Sequence, residues 1–472
     1  MANAAGGQIL GREESAPRIV EFNLVAADLR GQPVGDLTSG DLQIFDNGKP
    51  QKIALFWHSD TRLQQTAPLR PGEATNRVSS NVPRATLILF DLFNESMSAR
   101  TAALADLARC LQSLESAEYL YVYLLTQDGR LYPVRGLPGP EGEPADAGEP
   151  WNRNSKVLLE QAVDKVYRLR ATEIDVDTRL MMTYRVLGEV AAMLAGIPGR
   201  KNLVWITHGV PLVSWYSGID YTALLEEMSM RFDQSNVAIY PIQQTPPGMS
   251  ASAPDRGLES RQTLQQFADL TGGAANSTGS IPQIVRQAIS DARSSYLVGY
   301  YPPAANWDGR FHKLKIACAR KGVRIQAKTG YYAGADQGSE EATLNAAGLA
   351  SFDAAEIEIR GKVSNSLAGA ETLQFDFRID PARIRFIDDG GRPSAHLALQ
   401  IATYAADGEA HHTATEPLDV SLPPEGKSKL AEDWIRIRKN FNVSNVSKLR
   451  LIVYDRSSHM VGSLTIPLGG EK

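Results

Sequence analysis

The sequence predicts a multidomain chain of α/β plus β class, with an α/β unit inserted into one β-sandwich and a second β-sandwich after it. Three observations predict this. Apolar residues alternate with period two near the start of the chain. From residue 84 to about 293, short continuous apolar runs alternate with segments of helical period. From residue 295 onward the period returns to two. The expected divisions are 17–58 with 294–333 as a two-segment β-sandwich, 83–293 as the α/β unit, and 349–472 as the C-terminal sandwich.

Composition bounds the function. The 472 residues suffice for several hydrophobic cores, and 49 basic against 54 acidic residues leave a net charge of −5. That mild charge predicts no broad basic surface, and so no nucleic-acid partner. Cys110 and Cys318 are the only cysteines, which excludes a disulfide framework and a cysteine-rich zinc centre. No apolar run reaches the length of a transmembrane segment. The opening MANAAGGQILGREESAPR lacks a basic start followed by an apolar stretch, so no signal peptide is expected in the chain as given.

The elements follow in order. RIVEFNLVAADLRGQPV reads as a strand ending at a Gly-Gln-Pro turn. LQIFDNGKPQKIALFWH reads as two strands around Asp46-Asn47-Gly48, because Asn-Gly accepts the positive φ values that a two-residue hairpin turn requires. Pro50 places the second of them at a sheet edge. Residues 59–82 are polar and aperiodic and read as a linker. ATLILFDLF is a buried strand, and Leu104, Leu107, Ala108, Leu111 and Leu114 mark the helix after it. EYLYVYLLT is a strand, GLPGPEGEPADAGEP an exposed loop, and helical periods cover about 155–170 and 178–196. NLVWITHG and NVAIYPIQ are further buried strands, with a helix near 221–233 between them and two more helices after them, ending at Arg293. SYLVGYYPP, FHKLKIACAR and VRIQAKTGYYA are three strands without helices, like the three at the start, so one sandwich built from both sets is the simplest topology. Residues 334–348 read as a second polar linker. Seven short strands then follow, with a turn at Asp407-Gly408, and suggest an immunoglobulin-like sandwich.

The middle section resembles a von Willebrand factor A domain. The resemblance rests on the order of a buried strand ending in Asp91, a long helix, GIPGRKNLVWITHGVP and NVAIYPIQ. The whole chain resembles bacterial, acidobacterial-type von Willebrand factor A-related proteins through LTSGDLQIFDNGKPQKI, GIPGRKNLVWITHG, SSYLVGYYP, DGRFHKLKI and GYYA. It implies a Rossmann-like domain used for adhesion or protein binding, often outside the cytoplasm, in the periplasm or secreted.

Such domains commonly hold a divalent cation through Asp-x-Ser-x-Ser after the first strand, a threonine from a second loop and an aspartate from a third. A hard cation such as Mg²⁺ takes oxygen ligands near octahedral geometry. Here the strand ends in DLFNESMS. Asp91 stands at the first position, Phe93 and Glu95 replace the two hydroxyls, and Ser96 and Ser98 come late. The threonine is expected at Thr178, with Thr183 as the alternative, and His208 in WITHG replaces the third acid. The resemblance therefore implies a degenerate site without a working metal. A rebuilt site holding weakly bound Mg²⁺ or Ca²⁺ through Asp91, Asn94, Ser96 and Thr178 is the next reading. A transition metal at Asp91 and His208 is the third, since imidazole suits such ions.

Ligands of open parallel sheets bind at the carboxyl ends of the strands. Asp91, Asn94, Ser96, Ser98, Thr178 and His208 are therefore the expected crevice residues. No Gly-x-Ser-x-Gly, His-Glu-x-x-His or phosphate-binding loop occurs. The expected function is non-catalytic binding or adhesion with a protein ligand. The alternatives are a hydrolase using His208 near Asp91, and a cytoplasmic assembly scaffold.

Overall fold

The computed structural model describes residues 19–468 apart from 60–68, 77–84, 95–96, 115–118, 138–154, 168–174, 196, 198–199, 215–216, 244–253, 276–279, 304–306, 334–339, 350–352, 355, 366–371, 382–383, 390–391, 406–409, 423–433 and 459. The loop expected at GLPGPEGEPADAGEP lies almost wholly outside the described residues, as does the turn at Asp407-Gly408. The protein is mixed α/β and dominated by β-strands arranged in five sheets among the described residues.

Strands on either side of residues 84–293 pair with one another. Val20–Ala27 lies between Arg324–Ala327 and Ser295–Tyr300, and Ser295–Tyr300 also pairs with Ile53–Ser59, all antiparallel. A second sheet runs Gly330–Tyr332, Phe311–Cys318, Leu42–Asp46, Lys49–Gln51. Phe22, Leu24, Ile44, Tyr296, Val298 and Leu314 are among the apolar side chains of their shared core. Within it Asp46 accepts hydrogen bonds from Tyr300 and Tyr331 at 3.0 Å each and faces His312 Nδ1 at 2.9 Å.

The expected two-strand hairpin at Asn47-Gly48 is a three-strand path. Asn47 and Gly48 take φ values of 47° and 80°, and Asp46 pairs with Lys49 across the turn. Lys49–Gln51 then ends as the edge of the second sheet, and Ile53–Ser59 crosses to the first. Pro50 has no N–H to offer a further neighbour, so the edge is its natural place.

The central unit is a five-stranded sheet ordered Val237–Gln243, Lys201–Thr207, Thr86–Asp91, Leu120–Leu125, Leu131–Arg135, parallel except for the last strand. The three inner strands are buried at every position, which explains their continuous apolar runs. Helices Val176–Ala195, Thr222–Gln234 and Pro254–Thr271 supply Leu187, Phe232 and Phe267 to the core on one face. Helices Met97–Gln112, Ser155–Tyr167 and Ile281–Arg293 supply Leu107, Leu159 and Ile284 on the other.

The amino ends of the parallel strands abut the flanking sheets. Asn23 donates to Asn236 at 2.9 Å, Gln326 donates to the Tyr240 hydroxyl at 3.0 Å, and Lys328 pairs with Asp233 at 2.6 Å. The carboxyl ends, with Asp91 and Thr207, lie at the opposite end of the strands.

In the C-terminal region Thr372–Ile379 pairs with Ile359–Asn365 and Ile435–Asn442 in one sheet. Arg392–Ala405 pairs with Glu416–Ser421 and Val446–Asp455 in a second, which Val461–Pro467 extends. Phe375, Phe377, Leu397, Leu451 and Leu464 belong to the core between them.

Both expected linkers carry structure. Glu340–Leu349 is a helix that buries Leu344 and Ala347 on the outer face of the larger sheet, against Ala398, Ala402 and Ile452. Arg450 donates to the carbonyls of Ala347 and Gly348 at 2.9 and 3.3 Å and so satisfies its C-terminal end. Only Leu344 and the small Ala347 of this helix are in that core, which is why the period is weak in the sequence. Within the other linker, Ala74 and Thr75 pair with Gly361 and Arg360.

Candidate functional site

Asp91 closes the central strand and is fully buried. Phe90 lies opposite Ile206 in the parallel pair, so Asp91 and Thr207 are the last residues of neighbouring strands. The Thr207 hydroxyl donates to Asp91 Oδ2 at 2.7 Å and accepts from the Gly209 amide at 3.1 Å. Gly209 has φ of 106°, and a Cβ there would meet Ser260 Cβ at 2.7 Å, so this tight turn requires glycine. Asp91 Oδ1 accepts the backbone amides of Phe93 and Asn94 at 3.0 and 2.9 Å. The loop is thereby folded back over the strand end.

Asn94 completes the cluster. Its Nδ2 donates to Asp91 Oδ2 at 2.8 Å and to Thr183 Oγ1 at 3.0 Å. Thr183 in turn donates to the Arg179 carbonyl at 2.8 Å. The carboxamide nitrogen therefore lies between two oxygens from different elements. An amide N–H₂ is a donor and cannot ligate a metal ion, and four donors already serve the Asp91 carboxylate. The expected set of Asp91, Asn94, Ser96 and Thr178 is not assembled among the described residues, since Thr178 caps a helix elsewhere. Among the described residues no cluster of three or more His, Cys, Asp or Glu side chains is placed to hold a metal.

The other expected residues fall as follows. Thr178 is not at the cluster. It follows Asp175 at the start of helix Val176–Ala195, where its amide and hydroxyl donate to the Asp175 carboxylate at 2.9 and 2.6 Å. Asp175-x-x-Thr178 is a helix cap, and these bonds hold the Asp175 carboxyl below its usual range. Thr183 is the threonine on the buried stripe with Leu180, Tyr184 and Leu187, and that helical period is the signal that separates the two. His208 is half-buried directly after Thr207, and its carbonyl accepts from Gln243 at 3.2 Å. Ser96 lies outside the described residues, and Ser98 lies in the first turn of helix Met97–Gln112 with its side chain outside them. Thr207 is the residue that reading by motif missed. It is the last residue of a buried run, as Asp91 is, and adjacent parallel strands bring such termini together.

Burial pushes the Asp91 carboxyl above its usual 3.8, against the opposing hydrogen bonds of Asn94, Thr207 and Phe93. A carboxyl raised in the folded state contributes stability below its unfolded value, and that contribution is lost as pH rises through the folded value. The stability of the wild type relative to Asp91→Asn is therefore expected to decline as pH rises from about 4 toward neutrality. Paired denaturant melts across that range test it, and a difference that grows with pH would contradict it.

The rim of this end is apolar in part. Tyr221 donates to Asp177 at 3.0 Å, and Val213 bridges to Asp220, so the loop after His208 is held against the start of helix Val176–Ala195. Met181, one turn along from Asp177, is 50% exposed, and Val213 and Ile219 in the loop are 41% and 49% exposed. The Arg179 guanidinium lies 5.8 Å from the centre of the Phe93 ring.

No family model matches the chain, and none of the curated proteins matches it. Among solved structures it is similar to the crystal structure of the pilus adhesin SpaC from Lactobacillus rhamnosus GG, at 12% identity and a TM-score of 0.26. The alignment covers 92% of this chain and 57% of the adhesin, so the chain spans a little over half of that protein's length.

Proposed function

We propose that the chain is a non-catalytic binding or adhesion protein that recognises a protein ligand without a metal ion and acts outside the cytoplasm. In this reading residues 83–293 are a von Willebrand factor A-type unit inserted in a β-sandwich, and 349–472 are an immunoglobulin-like module. The observation that carries it is the position of the Asn94 carboxamide between Asp91 and Thr183. The hydrogen-bonding capacity of the strand ends is spent internally, on a carboxylate that four donors hold in place. The lone pairs of that carboxylate are committed to groups of the chain itself. Part of what the rim offers outward is apolar, in Met181, Val213 and Ile219. Exposed apolar side chains grouped at a strand-end crevice suit a protein surface. No helix among the described residues is long and apolar enough to cross a membrane.

The test is capture of envelope proteins from the producing cell on the immobilised chain, with chelator or with Mg²⁺. The expected result is a protein ligand retained equally in both, and lost from the double variant Met181→Asp, Ile219→Asp. Retention that requires Mg²⁺ would overturn the metal-free reading. Turnover of ester or peptide substrates that vanishes in His208→Ala would overturn the non-catalytic one.

A further inference from the structure

Residues 69–76 lie between strand Ile53–Ser59 of the flanking sheet and strand Thr86–Asp91 of the central one, yet their side chains serve the C-terminal sandwich. Ala74 and Thr75 pair antiparallel with Gly361 and Arg360 and so cover an edge of strand Ile359–Asn365. Asn76 is buried and acts as a clamp. Its Nδ2 donates to the carbonyls of Ala354 and Ile357 at 2.8 Å each, and its Oδ1 accepts the Ile359 amide at 2.8 Å. Its own amide donates to the Ile359 carbonyl at 3.2 Å. Glu73 is the acid bonded to Arg378, through Nε at 2.8 Å and also through Nη2. That guanidinium lies 5.3 Å from the centre of the Trp434 ring, with Arg360 on the same ring at 4.7 Å. The side chains of Glu73 and Arg378 are 3% and 13% exposed, so without Glu73 a largely buried cation would lose its carboxylate.

We propose that this sheet edge is a strand-acceptor site which recognises Glu73–Asn76 and takes them from a second copy of the chain as well as from its own. Recognition rests on a backbone ladder, one carboxylate pocket formed by Arg378 beside Trp434, and one carboxamide pocket formed by backbone groups of Ala354, Ile357 and Ile359. None of these depends on the covalent route by which the strand arrives. Nine residues, 60–68, and eight, 77–84, lie on either side of the strap. At about 3.3–3.6 Å per residue, neither connection can span more than roughly 30 Å. The contacts are the same in cis and in trans, so effective concentration decides between them. The strap remains in cis when the protein is dilute and exchanges when copies are crowded or the strap is loosened.

The test uses the full chain and a labelled synthetic peptide of residues 69–76. The double variant Glu73→Ala, Asn76→Ala, whose own strap is weakened, is expected to bind this peptide at least about 100-fold more tightly than the wild type does, since the wild-type strap competes at high effective concentration. A peptide carrying the same two substitutions, or a scrambled one, is expected to fail. Equal binding to variant and wild type, no binding to a folded variant, or equal binding of the scrambled peptide would each overturn the proposal. Should the variant not fold, protease sites placed within 60–68 and 77–84 allow the strap to be cut out of the folded protein. Labelled peptide is then expected to replace it, and retention of the excised strap against excess peptide overturns exchange.

Discussion

Replacing Asp91 by alanine is expected to destabilise the central α/β unit by about 3–5 kcal/mol, because several buried donors lose their acceptor at once. The side chain is fully buried and accepts from the Phe93 and Asn94 amides, the Asn94 carboxamide and the Thr207 hydroxyl. Each buried donor left without an acceptor costs about 1–3 kcal/mol. The total stays below the simple sum because water entering the vacated space serves some of them. The loss takes a large share of the roughly 5–15 kcal/mol that stabilises a typical domain. Asp91→Asn keeps an acceptor oxygen and is expected to cost less. A chain with several cores does not unfold in one step, so the measurement is hydrogen exchange at the amides of Thr86–Asp91 and Lys201–Thr207. Unchanged protection in Asp91→Ala would show that the cluster does not hold these strand ends together.

The second large effect is a gain. Asn94→Asp places a carboxylate where the carboxamide nitrogen sits, 2.8 Å from Asp91 Oδ2 and 3.0 Å from Thr183 Oγ1. Two negative charges about 4 Å apart repel by roughly 4 kcal/mol at the effective dielectric of a partly buried site. The variant is therefore expected to melt well below the wild type in chelator. It also assembles the oxygen donors that a hard divalent cation takes. Ca²⁺ or Mg²⁺ at 100 times its dissociation constant then restores about 2.7 kcal/mol. Melting of the wild type is expected to be flat against both ions. A cation response in the wild type that Asp91→Ala removes would overturn the metal-free reading, and an unresponsive Asn94→Asp would show that the pocket cannot admit an ion.

The alternating pattern of the central unit was legible because its strands are covered on both faces. ATLILFD, EYLYVYLL and NLVWIT are continuously apolar between their ends, and helices lie between them in sequence to cover them. Asp91 was legible for the complementary reason: a carboxylate at the end of such a run has few places to go besides the strand-end crevice. The threonine was harder. Thr178 is nearer the motif's expected loop, but Asp175 uses it as a cap, and helix phase directs Thr183 inward instead. The helix Glu340–Leu349 was hidden because Leu344 and Ala347 make a thin stripe that means little until Arg450 and the sheet beneath are known.

Local sequence alone determined where the parallel strands and the helices of the central unit form, that Asn47-Gly48 turns the chain, and that Asp91 ends a buried strand. These follow from hydrophobic period and backbone conformational preference, which act within a few residues. Only the tertiary structure decided that the Asn94 carboxamide stands between Asp91 and Thr183, that Thr207 joins them, and that Glu73 and Asn76 belong to a sheet nearly three hundred residues further along. Such contacts depend on which strands become neighbours and on the directions in which their ends point. A buried polar group takes whichever partner the fold brings within about 3 Å, and sequence distance does not enter that choice.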